Sequence, residues 1–194
     1  MNKQAELIKK LTDKELILNL YVTQIGMLVI AILISLFLGN VFLPFQHLFF
    51  QLDHLMIGFV FGIGVVLIEL FLYRIVPRKW FDDGGINERV FSALHPIHIV
   101  FISLIVAISE EILFRGVLQS QFGIWIASFI FALVHFRYLS NIFLFSVTVA
   151  LSFSLGGLFL WTENLLTVIV AHFIIDVILG LLIRYKSKGK EKTG

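Results

Sequence analysis

The chain has 194 residues, of which 59% are hydrophobic and only 14% are Asp, Glu, Lys or Arg, against about 25% charged residues in a soluble domain. This composition predicts an integral membrane protein, and the absence of cysteine excludes disulfide bonds, a thiolate nucleophile and a cysteine-ligated zinc. The net charge of +2 gives no indication of a nucleic-acid partner, because the Lys and Arg residues gather at the chain ends and in one loop.

Six apolar stretches approach the ~20 residues that a membrane-spanning helix requires. They lie near residues 18–41, 55–76, 97–118, 122–136, 142–161 and 165–184. The fourth is the shortest, and no repeat, low-complexity run or linker divides the chain. We therefore predict an all-α, polytopic membrane helix bundle of about six transmembrane helices that forms a single domain over residues 1–194. Either Thr162 or Asn164 is expected to cap the last helix.

Basic residues mark the cytoplasmic side of a membrane protein. Here they gather before the first predicted span, after the second and after the last: Lys3, Lys9, Lys10, Lys14, Arg74, Arg78, Lys79, Arg89, Arg184, Lys186, Lys188, Lys190 and Lys192. The loops at residues 39–54 and 162–164 contain no Lys or Arg. This pattern predicts that both termini are cytoplasmic, and the compact basic flanks favour a multi-pass protein of a bacterial plasma membrane, with membrane lipid around it.

Two features outside the most polar spans have simple structural interpretations. Gly58 and Gly62 have the Gly-x-x-x-Gly spacing that lets helices approach closely. That spacing leaves open whether the partner is internal or another copy, so the oligomeric state also stays open. We interpret Asp82 and Asp83 as part of a solvated loop with a Gly-Gly turn, not as a cation site. The histidines near span ends are interpreted as hydrogen-bonded or interfacial: His47, His54, His95 and His98.

The third predicted span contains two adjacent carboxylates and a guanidinium, Glu110, Glu111 and Arg115. Each such group costs roughly 2.5 to 3.5 kcal/mol at the centre of a membrane helix, so their presence indicates a functional site. Glu111 and Arg115 are four residues apart and share a helical face, with the acid first in the chain. Glu110 points ~100° away around the helix axis. One carboxylate can thus be tied to Arg115 while the other remains available as a general base.

Further polar groups occur on two later spans. His135 lies at the end of the fourth, and His172 and Asp176 are again four residues apart, on one face of the sixth. At 1.5 Å per residue, Glu110 lies ~20 Å from the cytoplasmic end of its span, and His172 lies ~12 Å below the outer end of its own. These depths agree within a hydrocarbon core of ~30 Å, and they predict one shared, water-filled pocket.

Three motifs carry a resemblance to a known family: Glu110-Glu111-x-x-x-Arg115, Phe131-x-x-x-His135 and His172-x-x-x-Asp176, in this order and on apolar helices. They resemble the motifs of the CPBP family, intramembrane proteases named for CAAX processing and bacteriocin processing and also called the Abi family. The flanking Phe114-Arg115-Gly116 and Thr162-x-Asn164-Leu165 agree with this family. The resemblance covers residues 105–180, the predicted protease motif core. The family often has Asn at the last position, whereas an ionised Asp176 can accept a hydrogen bond but cannot donate one.

The resemblance implies an intramembrane endopeptidase that hydrolyses a peptide bond of a membrane-associated or lipidated protein or peptide. It implies that Glu110 with His135 activates a water and that His172, with Asp176, stabilises the tetrahedral oxyanion. Glu111 with Arg115 would brace the helix. The candidate catalytic residues are therefore Glu110, Glu111, Arg115, His135, His172 and Asp176.

The family has been described both as metal-dependent and as glutamate-type, and the residues permit both. Two histidines and two carboxylates could hold a divalent metal such as zinc with one open position: Glu110, His135, His172 and Asp176. The chain has no His-Glu-x-x-His motif, and these groups come from three helices. Both observations favour a metal-independent mechanism.

Two other classes of protein are compatible with the same residues. The first is a non-catalytic membrane factor, such as a bacteriocin-immunity or scaffold protein that retains the pocket. The second is an ion or proton carrier that uses the carboxylates and histidines as a relay. The sequence does not distinguish a prenylated C-terminus, a double-glycine leader peptide and an anti-sigma factor as substrates.

Overall fold

The structure, a computed structural model, describes residues 11–191, with side chains up to Gly189. Its α-helices are α1 (Asp13–Phe37), α2 (Leu52–Ile75), α3 (Ile86–Ala93), α4 (Pro96–Glu111), α5 (Ser120–Val134), α6 (Ile142–Thr162) and α7 (Leu165–Glu191). A π-helix, Ile112–Gln119, joins α4 to α5, and short 3₁₀ turns occupy Leu43–Phe45, Arg78–Phe81 and Phe136–Tyr138. No strand occurs within residues 11–191, so the predicted all-α class is confirmed.

The number of spans differs from the predicted count of about six. Five described stretches are long and apolar enough to cross a membrane: Asp13–Phe37, Leu52–Ile75, Pro96–Val134, Ile142–Thr162 and Leu165–Gly189. The third and fourth predicted spans form one of these five, a single stretch of 39 residues. This stretch is helical on both sides of Gly123, which lies at the start of the fourth predicted span.

This long stretch folds back on itself at Gly123. The backbone there adopts φ 79° and ψ 168°, a conformation that is cheap only for glycine. Beyond the turn, the ring of Phe131 packs on that of Phe114, with centroids 4.9 Å apart. The two rings come from opposite sides of Gly123, so α5 lies alongside the π-helix that precedes it. The predicted fourth span is therefore the return arm of a helical hairpin.

The predicted cytoplasmic location of both termini stays a prediction. Lys3, Lys9, Lys10 and Lys192 lie outside the described residues, and the Lys190 side chain is not described.

The first helix begins at Asp13 because Thr12 and Glu15 form a capping box, in which the Thr12 side chain accepts from the Glu15 N–H. The large apolar side chains of α1 and α2 are widely exposed, as expected of lipid-facing helices.

The Gly-x-x-x-Gly pair of α2 packs against the chain's own last helix. A Cβ atom on Gly62 would lie 2.8 Å from the carbonyl oxygen of Ala171 and 2.9 Å from Cβ of Ile174. One on Gly58 would collide with the carbonyl oxygen of Thr167. The predicted close approach is confirmed, and its partner within this chain is α7. This contact sets the position of α7, which carries two of the candidate catalytic residues.

Replacing Gly62 with Ala is expected to destabilise the protein by about 1–3 kcal/mol, because the new methyl group overpacks the contact between α2 and α7. The matched control is Gly64→Ala on the same helix, where a Cβ would meet nothing within 4 Å. The control should be neutral or slightly stabilising, since Ala favours a helix over Gly by about 1 kcal/mol. Thermal unfolding in detergent checks this prediction, and equal unfolding temperatures for the two variants would contradict it.

The simpler structural interpretations of the other polar residues are confirmed. Asp82 Oδ1 accepts from the Gly84 N–H at 2.8 Å, and Asp83 Oδ1 accepts from the Gly85 N–H at 3.0 Å. Both glycines have positive φ, so this is a Gly-Gly turn stabilised by its own aspartates. At the start of α7, Asn164 Oδ1 accepts from the Leu166 N–H at 2.9 Å, which makes Asn164 the cap.

The histidines near span ends have structural partners. His98 Nε2 is 2.8 Å from the Tyr21 hydroxyl, and His47 Nδ1 is 3.2 Å from the Glu163 carbonyl oxygen. His54 Nδ1 is 3.1 Å from the Asn164 side-chain nitrogen. The His95 side chain caps α4 by accepting from the Ile97 N–H. These contacts hold helix ends and loops together.

Candidate active site

The centre of the polar cluster is an ion pair between Glu111, at the end of α4, and Arg115, in the π-helix. Arg115 Nε lies 3.2 Å from Glu111 Oε2, and Arg115 Nη1 lies 3.3 Å from Oε1. The two side chains are 0% and 1% exposed, so this is a fully buried pair. The pairing predicted from the four-residue spacing is confirmed. It occurs where the helix widens into π geometry, a feature frequent at functional sites.

Arg115 has two further partners that anchor the π-helix to its neighbours. Its Nη2 donates to the Ser152 carbonyl oxygen at 3.0 Å and lies 3.3 Å from the Ser152 hydroxyl, both on α6. The guanidinium carbon lies 4.8 Å from the centroid of the Phe131 ring on α5, within cation–π range. In addition, Gly116 packs against the Pro44 carbonyl oxygen, which a Cβ would approach to 2.8 Å. Arg115 therefore joins three helical segments.

His172 of α7 connects Glu111 to Asp176. Its Nδ1 is 2.7 Å from Glu111 Oε1, and its Nε2 is 3.5 Å from Asp176 Oδ2. His172 and Glu111 are buried, whereas the Asp176 side chain is partly exposed. The contact between Glu111 and His172 confirms that the polar residues of the third and sixth predicted spans lie together. The resemblance did not imply that Glu111, already paired with Arg115, also holds His172.

Glu110 points away from this ion pair, as its position one residue before Glu111 predicts. Its Oε1 is 3.4 Å from Nε2 of Gln24 on α1. Glu110 also interacts electrostatically with His135, His172 and Asp176. The two adjacent carboxylates therefore have different surroundings: Glu111 lies between Arg115 and His172, and Glu110 faces the uncharged amide of Gln24.

His135 lies at the end of α5, where the return arm of the hairpin brings it near Glu110. Its Nδ1 is 2.8 Å from the Phe131 carbonyl oxygen, which can only accept, so Nδ1 carries the proton and Nε2 of the neutral ring is an acceptor. The Tyr138 ring stacks on the imidazole, with centroids 6.1 Å apart. Among the described hydrogen bonds, none joins Glu110 to His135, and the two interact through space.

Three residues of this region were not recognised in the sequence. Gln24 and Ser152 are uncharged and stand among apolar neighbours, so only their burial within the bundle marks them. Glu69 is an isolated carboxylate in α2 that interacts electrostatically with Asp176. Its position inside an apolar span was a signal that could have identified it.

The side chains of this region do not form a metal site in their present arrangement. Among the described residues, no three His, Cys, Asp or Glu side chains are arranged to hold a metal ion. Both ring nitrogens of His172 already face carboxylates, at 2.7 and 3.5 Å. The donor set considered for zinc was Glu110, His135, His172 and Asp176, and it does not fit a coordination sphere.

Comparisons with known proteins give two matches. The family described as Rce1-like, type II CAAX prenyl endopeptidase, matches residues 92–178, a range that contains all six candidate catalytic residues. Over 135 residues the chain is 44% identical to "Uncharacterized protein YpbD" of Bacillus subtilis (strain 168), an alignment that covers 70% of this chain and 71% of that protein. No solved structure gives a significant match.

Proposed function

The chain belongs to the CPBP family, which includes the Rce1-like endopeptidases. On this basis we propose that it hydrolyses a peptide bond within or beside the membrane. One observation carries the proposal. Of two adjacent buried carboxylates, Glu111 is held by Arg115 and His172, whereas Glu110 faces only the Gln24 amide among its described hydrogen-bond partners. A carboxylate without a fixed counter-ion, close to two histidines, is suited to act as a general base.

In the proposed reaction, Glu110 takes a proton from a water while the water oxygen bonds to the scissile carbonyl carbon. The acceptor Nε2 of His135 can hold the second hydrogen of that water. The carbonyl π electrons move onto oxygen and form a tetrahedral oxyanion. The C–N bond then breaks, and the proton on Glu110 passes to the leaving nitrogen. The products are a new carboxyl end and a new amino end, and Glu110 returns to its starting state.

His172 is the donor that we assign to the oxyanion. Glu111 holds its Nδ1 at 2.7 Å, which orients the ring. The contact from Nε2 to Asp176 is longer, at 3.5 Å, so that N–H can turn its hydrogen bond to the developing oxyanion. A donor placed where charge develops is worth about 10²–10³-fold in rate. Asp176, when ionised, only accepts, and we assign it the role of supporting His172.

The proposed substrate class is a membrane-associated or lipidated protein or peptide, cleaved in a bacterial plasma membrane. The chain is a multi-pass membrane protein, and its polar cluster is built from segments that are long and apolar enough to span a bilayer. A substrate must therefore reach the site from the lipid or from its edge. The relative from Bacillus subtilis supports the bacterial location.

The test compares protein N-termini in membranes of cells that express the wild type or Glu110→Gln. New N-termini that depend on Glu110 are expected, because cleavage of a peptide bond creates a free amino end. They would also name the substrate. The Glu163→Gln variant serves as the control, since Glu163 is an exposed carboxylate in the loop before α7, and it should give the wild-type set.

Identical N-termini for all three proteins would contradict a protease and favour a non-catalytic immunity or scaffold factor. That factor would protect cells equally well as wild type and as Glu110→Gln. Proton or ion flux into vesicles that contain the purified protein would instead favour the carrier, and we expect none.

A further inference from the structure

Gln24 is a buried polar residue on α1, a helix whose large apolar side chains are mostly exposed. It belongs to α1, a candidate membrane span with mean hydropathy 2.3, and it is only 5% exposed. It also lies outside residues 92–178, where the family match is found. Burying an amide without full hydrogen bonding costs about 1–3 kcal/mol in proteins. A residue chosen only for packing at this position would be apolar, so Gln24 requires another explanation.

Of the two polar atoms of the Gln24 amide, the nitrogen has a hydrogen-bond partner among the described residues and the oxygen has none. Its Nε2 lies 3.4 Å from Glu110 Oε1, and an ionised carboxylate can only accept, so the amide nitrogen is the donor. Its Oε1 is fully buried and has no hydrogen-bond partner among the described residues. A buried acceptor without a partner is rare and calls for an explanation. Here the open acceptor stands directly beside the proposed general base.

From this geometry we infer that Gln24 takes part in the reaction: its Nε2 holds the ionised Glu110, and its Oε1 accepts the second hydrogen of the attacking water, a role otherwise open to Nε2 of His135. This inference rests on the proposed function of Glu110. The bond of 3.4 Å is long, as is common for catalytic hydrogen bonds in the absence of substrate. A water between Oε1 and the Glu110 carboxylate would satisfy the acceptor and be held for proton transfer. Helix α1 would then contribute directly to the active site.

Other titratable groups also interact electrostatically with Glu110. Arg115 acts on it from the π-helix, His135 from the end of α5, and His172 and Asp176 from α7. A change at Gln24 leaves all four in place. The effect of such a change on the pH dependence of cleavage therefore isolates the amide.

The test uses the purified full chain in detergent, mixed with membranes from cells that lack it. The rate at which Glu110-dependent N-termini appear is followed over a range of pH. In Gln24→Met, which is close in size but apolar, we expect a fall in rate of about 10²-fold, the lower end of the range for positioned proton transfer. The acidic limb of the pH profile should move to higher pH, because the donor that favours the ionised carboxylate is gone. Gln24→Glu should move that limb further, since it places a second carboxylate beside Glu110.

A structural control separates this role from packing. Ser35 is also fully buried on α1, and its hydroxyl donates to the Ala31 carbonyl oxygen at 2.7 Å, about three turns away from Gln24. Ser35→Ala should keep the wild-type pH profile. Gln24→Met should unfold close to the wild-type temperature, because it removes an unsatisfied buried acceptor and also the donor to Glu110.

Three other results would overturn the proposed role of Gln24. A wild-type rate and pH profile in Gln24→Met would overturn the role of Gln24 while leaving Glu110-dependent cleavage intact. A lower rate with an unchanged pH profile and a lower unfolding temperature would assign Gln24 to packing alone. If the wild type itself gave no Glu110-dependent N-termini, the proposed function would fail, and the inference about Gln24 would fail with it.

Discussion

Replacing Glu110 with Gln is expected to lower the rate of peptide cleavage by about 10²–10⁴-fold, the range for loss of a positioned general base. Gln has nearly the same shape, and the amide of Gln24 can still contact it, so the fold should be retained. The partners of Glu111 are unchanged, because Glu110 makes none of those contacts. The rate of Glu110-dependent N-terminus formation by the purified protein measures the effect.

Two controls test whether the loss of rate comes from the chemistry of Glu110. Glu163→Gln changes an exposed carboxylate and should leave the rate unchanged. The unfolding temperature of Glu110→Gln should stay close to that of the wild type, which shows that the loss is chemical. A fall of less than about tenfold with an intact fold would remove Glu110 from the role of base, since such a base contributes at least about 10².

Replacing Arg115 with Met is expected to destabilise the protein by about 3–5 kcal/mol, the cost of leaving one partner of a buried ion pair uncompensated. Glu111 would remain buried with His172 as its remaining side-chain partner. The Ser152 carbonyl would lose its donor, and the hairpin would lose the contact between Arg115 and Phe131. The free energy of unfolding in mixed detergent micelles measures this loss.

The matched control is the exposed ion pair between Asp13 and Arg89, which has an N–O distance of 2.8 Å. Asp13 is 54% exposed, so Asp13→Asn should cost only about 0–1 kcal/mol. A double variant, Glu111→Gln with Arg115→Met, removes the stranded charge and should be more stable than Arg115→Met alone. If the double variant were equally or less stable, the loss would come from packing and not from an unpaired carboxylate.

The local pairings in the site could be predicted because helix periodicity places residues four apart on one face. This is why the contacts from Glu111 to Arg115 and from His172 to Asp176 were expected, and why Glu110 was expected to point elsewhere. The close approach of Gly58 and Gly62 to another helix followed from their spacing in the same way. The family motifs added the order of the three polar segments along the chain.

The tertiary arrangement decided which residues of other helices contact these helical faces. Gly58 and Gly62 pack on α7, which the spacing alone left open. The contact between Glu111 and His172 joins residues 61 positions apart, and that between Gln24 and Glu110 joins residues 86 apart. No local pattern encodes such separations, because they depend on how every intervening helix turns and packs.

For this protein, the sequence by itself determined the membrane class, the all-α fold, the six polar candidates and the internal pairing of each motif. These properties arise from composition and from the period of a single helix, which act over a few residues. Only the tertiary structure decided that α5 packs alongside the π-helix, that Glu111 holds both Arg115 and His172, and that Gln24 faces Glu110. Those properties arise from packing between distant segments, where a buried polar group must find its partner in three dimensions.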